Sequence, residues 1–316
     1  MQNRITELDY LKCIFIILMI IFHLVYIGDK YPYAKNIVYT FHMSGFLVIS
    51  GYLANIQKPR KVFFYDMLWI FIPYAFMENS YVLMSSILPV RGAVQDITPT
   101  FLLYKTLIAP MGPYWYLHTL MVCSIAYYLI YNNIVRCYNI SSFIFIGLCL
   151  FILSYACGML SFSNAIYFLA GIYIRQNNLN FLSVFQASPW AVIPLIILCS
   201  FPSNLDRGSL SGIVITFLAI SLFLSAYSYI NNRVMTVMSF IGRNTLVILL
   251  FSPIFTILSK ILVPFFSFDP TGILFTVTAV IFVISGCLGI AGLIDYMHLT
   301  RYCFGKNKIL CSRNLL

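Results

Sequence analysis

The stretch Leu8–Tyr26, LDYLKCIFIILMIIFHLVY, is apolar and long enough to cross a bilayer, yet it contains Asp9, Lys12 and His23. Ionisable side chains inside lipid are costly and tend to serve a function. Lys12 and His23 are eleven residues apart, which on a helix is about 20° past three full turns, so both project from nearly the same face. They lie roughly 16 Å apart along the helix axis. Asp9 precedes Lys12 by three residues and lies on the same side.

The composition of the whole chain indicates a membrane protein. Of its 316 residues 61% are hydrophobic and only 9% are charged, whereas soluble domains carry charge on about a quarter of their residues. The net charge of +10 is typical of loops that face anionic lipid, so no nucleic-acid partner is expected. Nine cysteines are scattered singly, which predicts neither a metal site nor a disulfide framework.

Long apolar runs predict an all-α, polytopic membrane protein with about ten transmembrane helices. A shorter segment, Phe101–Ala109, is predicted to be interfacial or re-entrant. The predicted spans are Tyr10–Ile27, Asn36–Ala54, Phe63–Leu88, Pro113–Tyr131, Ser142–Gly158, Phe162–Ile174, Pro189–Phe201, Leu210–Ile230, Thr245–Phe266 and Gly272–Leu293.

The distribution of the basic residues predicts the orientation of these spans in the membrane. With the N-terminus inside, the inner side holds 13 of the 19 Lys and Arg residues, the outer side holds five, and Lys260 lies within a span. This asymmetry predicts that both termini are cytoplasmic. The loops are short, so residues 1–316 are predicted to form a single membrane domain, of which residues 294–316 are a basic cytoplasmic tail.

The two ends of the first span suit an extended ligand that is anionic at one end and reactive roughly 16 Å away. Acyl-coenzyme A has this form. Lysine provides a compact point charge for phosphate, and histidine is the usual general base near neutral pH. The alternatives are that Lys12 is a snorkelling anchor and that His23 makes an interhelical hydrogen bond.

The segment LDYLKCIFIILMIIFH resembles the opening of the acyltransferase-3 family of integral membrane acyltransferases, whose hallmark is Arg or Lys, ten residues, then His. Lys12 and His23 match it, with Leu8 and Asp9 as the usual preceding pair. The resemblance is strongest to the branch of fucose 4-O-acetylase-like and other surface-polysaccharide O-acetyltransferases.

Four further motifs follow in the family's order, and the resemblance covers residues 4–293. They are FHMSGFLVISGYLA (Phe41–Ala54), GPYWYLHTL (Gly112–Leu120), YFLAGIYI (Tyr167–Ile174) and IGRNTLVILLFS (Ile241–Ser252). Many relatives end the last motif with His, where this chain has Ser252, so no role for a second His is carried over. The Arg-rich segment that follows the second span in some relatives is matched loosely by Lys58, Arg60 and Lys61.

The resemblance implies transfer of an acyl group, commonly acetyl, from acetyl-CoA to a sugar hydroxyl of a surface polysaccharide or its lipid-linked precursor. It also implies a multi-pass protein of the bacterial cytoplasmic (inner) membrane, whose partners are acetyl-CoA, a glycan acceptor and the bilayer. Acetyl-CoA is then a co-substrate, and no permanently bound cofactor is expected. The oligomeric state stays open, and a homo-oligomer is compatible with the sequence.

In this scheme Lys12, beside Asp9, holds a donor phosphate, and His23 is either a general base or an acyl carrier. The general-base version is favoured. Further donor contacts are predicted at the inner boundary, where the alternative is ordinary positive-inside anchoring. These candidates are Arg60, Lys61, Arg243 and Asn244.

Two other ionisable residues inside predicted spans are candidates for catalysis. His42 is predicted to assist His23 or to bind acceptor hydroxyls, and the alternative is an interhelical hydrogen bond. Glu78 is predicted to orient His23 as the third member of a catalytic group, and the alternative is a structural polar pair.

Trp115, Tyr116 and His118 are the candidate acceptor-binding residues, because sugar rings stack on aromatic side chains. An aromatic belt at the membrane surface explains the first two without such a role. Gly286, Gly289 and Gly292 recur every three residues, which predicts close helix packing.

Two other classes of protein are weighed against the enzyme. A proton-coupled transporter or glycan flippase would also carry sparse buried His, Glu and Lys residues, but inverted repeats with broken helices are expected of it and none is found in the sequence. A non-catalytic membrane assembly partner is the third candidate, and the ordered motifs disfavour it.

Overall fold

The computed structural model describes residues 4–87, 97–135 and 142–311, and every regular element within them is a helix. Three basic residues used for the orientation, Arg91, Arg136 and Arg313, lie outside the described residues, as does Leu88 at the end of a predicted span. The helices are α1 (Thr6–His23), α2 (Val25–Lys30), α3 (Pro32–Leu53), α4 (Arg60–Ser85), α5 (Pro99–Leu107), α6 (Trp115–Ile130), α7 (Ser142–Tyr155), α8 (Phe162–Gln176), α9 (Phe181–Val184), α10 (Val192–Cys199), α11 (Leu210–Tyr227), α12 (Asn232–Arg243), α13 (Thr245–Leu258), α14 (Ile273–Tyr296) and α15 (Thr300–Phe304).

A helix coincides with each of the ten predicted segments and with the predicted interfacial segment. The first segment differs in detail, because α1 ends at His23 and Leu24 is extended, with ψ 107°, before the short helix α2 begins. The amphipathic helix α12 was not predicted. Arg243 therefore ends α12, and Asn244 is the junction to α13.

Within the described residues, three helical segments are long and apolar enough to cross a membrane. They are Leu210–Tyr227, Thr245–Phe266 and Ile273–Tyr296, with mean hydropathies of 2.1, 2.4 and 2.5. The second consists of α13 and the 3-10 helix Ser259–Phe266. Helix α1 has 18 residues, but three of them, Glu7, Asp9 and Lys12, are charged. The protein is therefore a helical membrane protein, and the number of crossings and their orientation stay predictions.

The described chain forms two compact units, and the first consists of residues 1–46, 180–301 and 306–316. Helix α1 lies at its centre and packs against α11, α12, α13 and α14. Phe15 is fully buried and contacts Phe223 and Phe41, at centroid distances of 6.0 and 6.4 Å. A Cβ atom at Gly45 would lie 2.5 Å from the Phe15 ring, so a glycine is needed at this crossing.

The segment that follows His23 is anchored to α14 within the same unit. Leu24 and Ile27 pack against Phe275 and Ala279 in a buried cluster. The Tyr31 hydroxyl donates to the carbonyl of Thr271 over 2.7 Å. These contacts fix the chain on the far side of His23, where the helix itself has ended.

The second unit consists of residues 47–179 and 302–305. Two glycines bring α3 and α8 into backbone contact. A Cβ atom at Gly51 would lie 2.1 Å from the carbonyl oxygen of Phe168, and one at Gly171 would lie 2.1 Å from that of Val48. Close packing is thus the structural role of Gly51.

Candidate functional site

One end of α1 carries a three-residue ion cluster, Arg4, Asp9 and Lys12, which we call the Asp9 cluster. Arg4 Nε lies 2.6 Å from Asp9 Oδ2, and Lys12 Nζ lies 2.8 Å from Asp9 Oδ1. The hydrogen bond to Asp9 raises the pKa of Arg4, so the guanidinium keeps its charge. Because one carboxylate faces two cations, the cluster carries a net charge of +1.

Helix α12 brings further predicted donor residues to this cluster. A Cβ atom at Gly242 would lie 1.8 Å from the carbonyl oxygen of Asp9, so α12 touches the backbone of α1 there. Arg243 and Asn244 follow directly. Four of the six predicted donor-binding residues, Asp9, Lys12, Arg243 and Asn244, therefore lie near one another within the first unit.

The side chains at the α12–α13 junction make hydrogen bonds to backbone groups. Arg243 Nε donates to Ser239 O over 3.1 Å, and Asn244 Nδ2 donates to Phe240 O over 2.8 Å. Asn244 Oδ1 accepts from the Cys311 N–H over 3.0 Å. The role that the structure gives Asn244 is thus to hold the C-terminal segment beside the Asp9 cluster.

Asp295 fixes the same C-terminal segment. Its carboxylate accepts hydrogen bonds from the backbone N–H groups of Ile309 and Leu310, at 2.8 and 3.1 Å, and from the hydroxyl of Thr300. These hydrogen bonds to Asp295 were not predicted from the sequence.

Arg60 and Lys61, the other two predicted donor residues, begin α4 in the second unit. Both are exposed, and the Arg60 guanidinium lies 6.0 Å from the centre of the Phe64 ring. Their contribution to donor binding stays a prediction.

Two imidazoles, that of His23 at the other end of α1 and that of His42 in α3, have the same tautomer. His23 Nδ1 lies 2.7 Å from Met19 O, and His42 Nδ1 lies 2.7 Å from Val38 O. A carbonyl oxygen only accepts hydrogen bonds, so in both rings Nδ1 carries the hydrogen and Nε2 presents its lone pair. His42 Nε2 is buried and has no hydrogen-bond partner among the described residues.

Tyr39 lies between the two imidazoles. Its ring centre is 6.0 Å from that of His23 and 5.3 Å from that of His42. The structure therefore brings His23 and His42 together, as the catalytic prediction requires. Because α1 is a continuous helix from Lys12 to His23, the spacing of roughly 16 Å between the two ends holds.

Glu78 is fully buried in the second unit. Its Oε1 accepts from the Met111 N–H over 2.6 Å, and its Oε2 has no partner among the described residues. The nitrogen that an orienting carboxylate would contact, Nδ1 of His23, already donates to Met19 O. The contact found for Glu78 thus holds α4 to the Met111 turn, and its catalytic role stays a prediction.

The candidate acceptor residues also lie in the second unit. The Tyr116 hydroxyl lies 2.8 Å from Ser50 Oγ, and His118 Nε2 donates to Leu107 O over 2.8 Å. Both side chains are buried, and Trp115 is partly exposed. Burial and these hydrogen bonds give Tyr116 and His118 a structural role, and acceptor binding by these two residues and by Trp115 stays a prediction.

Comparison with known proteins decides the family. The acyltransferase domain model of the acyltransferase-3 family matches residues 5–292. The chain belongs to the acyltransferase-3 family. The match includes the Asp9 cluster from Asp9 onward, both imidazoles and the α12–α13 junction. Neither the curated proteins nor the solved structures gave a match. The protein is therefore a membrane acyltransferase, and the branch within the family stays a prediction.

Proposed function

We propose that this acyltransferase transfers acetyl from acetyl-CoA to a sugar hydroxyl of a bacterial surface polysaccharide or of its lipid-linked precursor. It would do so in the cytoplasmic membrane, with ten spans and both termini inside. Family membership supports the reaction class. The observation that carries the mechanism is the Nδ1–H bond of His23 to Met19 O, which leaves Nε2 as a base.

In the proposed reaction the Nε2 lone pair of His23 takes the proton of the acceptor hydroxyl. The hydroxyl oxygen attacks the thioester carbonyl and a tetrahedral intermediate forms. Its collapse breaks the carbon–sulfur bond, and the departing thiolate takes the proton back from the imidazolium. His42, whose Nε2 also presents a lone pair, accepts a hydrogen bond from an acceptor hydroxyl. The backbone carbonyl of Met19 fills the orienting role that a carboxylate has in a triad.

The donor would lie along α1. Lys12 and the net charge of +1 in the Asp9 cluster hold a phosphate, supported by Arg243 at the start of the α12–α13 junction. The reactive thioester then lies roughly 16 Å away at His23. An extended pantetheine arm suits this separation, and a compact acyl donor without such an arm does not.

The test follows labelled acetyl groups from acetyl-CoA into surface glycan. Cells express the wild type, His23→Ala, His23→Gln or His298→Ala at matched membrane levels. His298 is an exposed histidine and is the matched control. Label is expected with the wild type and His298→Ala and is lost with both His23 variants. Unchanged labelling in the His23 variants refutes the base mechanism, and absence of label with the wild type refutes acetyl transfer.

A further inference from the structure

Residues 306–311 form a C-terminal segment that side chains of the first unit hold by its backbone. Three successive N–H groups, those of residues 309–311, donate hydrogen bonds to these side chains. The first two meet the Asp295 carboxylate at 2.8 and 3.1 Å, and the third meets Asn244 Oδ1 at 3.0 Å. The position of the segment is therefore fixed by two side chains.

The same contacts place the segment at the donor end of the site. Asn244 follows Gly242 by two residues, and a Cβ atom at Gly242 would lie 1.8 Å from the carbonyl oxygen of Asp9. The Cys311 side chain is close enough to Arg4 to act on it electrostatically. The end of the segment therefore lies beside the Asp9 cluster.

The segment carries an exposed cation, Lys308. Its ammonium is close enough to Asp295 to act on it electrostatically. Cys311 follows Lys308 by three residues, which is at most about 10 Å of extended chain, and the lysine side chain adds its own reach. Lys308 therefore lies near enough to the Asp9 cluster for one ligand with several phosphates to contact both.

The charges at this end of the first unit show what Lys308 adds. Among the described residues that the contacts above place here, four cations face three carboxylates, so the net charge is +1, and without Lys308 it is zero. A ligand with several phosphates binds better where the net charge is positive. The cations are Arg4, Lys12, Arg243 and Lys308, and the carboxylates are Glu7, Asp9 and Asp295.

We propose that the C-terminal segment forms one wall of the donor site and that Lys308 binds a phosphate of acetyl-CoA together with Lys12. Asp295 and Asn244 are then positioning residues, because they hold the segment by its backbone. This inference rests on the proposed use of acetyl-CoA as donor. It extends the site beyond the residues that the family model matches, which end at residue 292.

The first test uses two exposed cysteines as probes, Cys311 in the segment and Cys157 in the second unit. The purified full-length protein is alkylated with a maleimide, and mass spectrometry follows the modification of each thiol. The ligand is desulfo-coenzyme A, which keeps the phosphates and lacks the thiol that would consume the reagent. It is expected to slow the modification of Cys311 and to leave that of Cys157 unchanged. An unchanged rate at Cys311 with saturating ligand overturns the proposal.

The second test measures the dissociation constant of desulfo-coenzyme A for variants of Lys308. Lys308→Ala is expected to raise this constant by roughly tenfold, because one charged contact to phosphate is lost. Lys308→Arg keeps the charge and should restore most of the affinity. Lys260→Ala, which removes an exposed lysine outside the segment, is the control. An unaltered dissociation constant in Lys308→Ala contradicts the role of this lysine.

The third test asks whether Asp295 acts by holding the segment. Asp295→Ala should raise the same dissociation constant, and the further change Lys308→Ala should then add little. The two effects are not independent if the released segment no longer brings Lys308 to the site. Independent effects of the two substitutions would show that Asp295 does not position Lys308.

Because binding is measured directly, the inference and the proposed function fail in different ways. A wild type that does not bind desulfo-coenzyme A refutes coenzyme A as the donor, and the proposed function fails with it. A wild type that binds this ligand, with equal affinity in Lys308→Ala, overturns only the role of the C-terminal segment.

Discussion

Gly242→Ala tests whether the contact between α12 and α1 builds the donor end of the site. The added Cβ atom would lie 1.8 Å from the carbonyl oxygen of Asp9 and 2.6 Å from its carbonyl carbon. Both are backbone atoms, so no side-chain rotation relieves the clash. The two helices must move apart by about 1.5 Å to restore an ordinary contact.

Two opposing effects set the size of the change. Alanine in place of a helical glycine stabilises by about 0.5–1 kcal/mol. Overpacking costs typically about 1–3 kcal/mol, and a clash with fixed backbone lies at the upper end. The net expectation for Gly242→Ala is a loss of about 2 kcal/mol in the free energy of unfolding, because the packing cost exceeds the gain in helix propensity.

The assay compares Gly242→Ala with Gly289→Ala. Gly289 also lies in a helix, and its added Cβ atom would meet nothing within 4 Å. Thermal unfolding in detergent should show a lower midpoint for the first variant and an equal or higher one for the second. Half-saturation for acetyl-CoA should rise only in Gly242→Ala, because Arg243 and Asn244 shift relative to Lys12.

Equal midpoints for the two variants would refute the close contact between Gly242 and Asp9. A lower midpoint with unchanged half-saturation for acetyl-CoA would keep the contact. This result would show that the α12–α13 junction does not contribute to donor binding.

Substitutions at three further positions test groups that make hydrogen bonds. Glu78→Ala leaves a backbone N–H unpaired and should lower the free energy of unfolding by about 1–3 kcal/mol, whereas Glu78→Gln keeps an acceptor and should lower it less in the same denaturation assay. Tyr116→Phe removes the hydrogen bond to Ser50 and should cost about 1 kcal/mol with little loss of acetyl transfer; a large loss of rate at normal stability would instead support acceptor binding. Hydrogen bonds lower the pKa of Asp269 to about 2. The largest effect comes from the Thr271 hydroxyl, and backbone N–H groups add to it. The folded state thus gains stability from the ionised Asp269 above its ordinary pKa of about 4 and loses it as the pH falls through about 2. Asp269→Ala should therefore lower the unfolding midpoint near neutral pH, and the difference from wild type should shrink as the pH falls from about 4 to about 2. A constant difference across this range would contradict the prediction.

The sequence predicted the helices well because each membrane segment is determined by its own composition. A helix satisfies its backbone hydrogen bonds internally, so an apolar run of sufficient length indicates a helix without knowledge of its neighbours. Helix α12 was missed because it mixes polar and apolar residues. Its apolar positions Val234, Met235, Val237, Met238 and Ile241 have helical spacing, and this periodicity is the signal that would have found it.

Packing could be predicted only in part. Of the three glycines spaced by three residues, Gly286 packs closely, since an added Cβ atom would lie 2.3 Å from the Phe255 ring. Gly289 faces open space, and Gly292 has only an ordinary contact with Leu310. The spacing of the glycines shows which face of the helix carries small residues. It does not show what the face contacts, because the neighbour comes from a distant part of the chain.

The candidate site could likewise be predicted only in part. The spacing of Lys12 and His23 depends on one helix, so it could be worked out from the sequence. The hydrogen-bond partners of the two imidazole rings depend on side-chain conformation. The position of the C-terminal segment beside Asn244 depends on a distant part of the chain. Neither of these leaves a local pattern in the sequence.

The pairing of Lys12 with Asp9 has a consequence for the donor. The Asp9 carboxylate neutralises Lys12 at the edge of the apolar segment, which lowers the free-energy cost of placing the lysine there. If Lys12 binds the donor phosphate as proposed, that phosphate must compete with Asp9, while Arg4 keeps a second contact to the carboxylate. Asp9 would then weaken the binding of small anions to Lys12. A donor with several phosphates, which would also reach Arg243, would overcome this competition, so the proposed mechanism predicts selectivity for coenzyme A over inorganic phosphate.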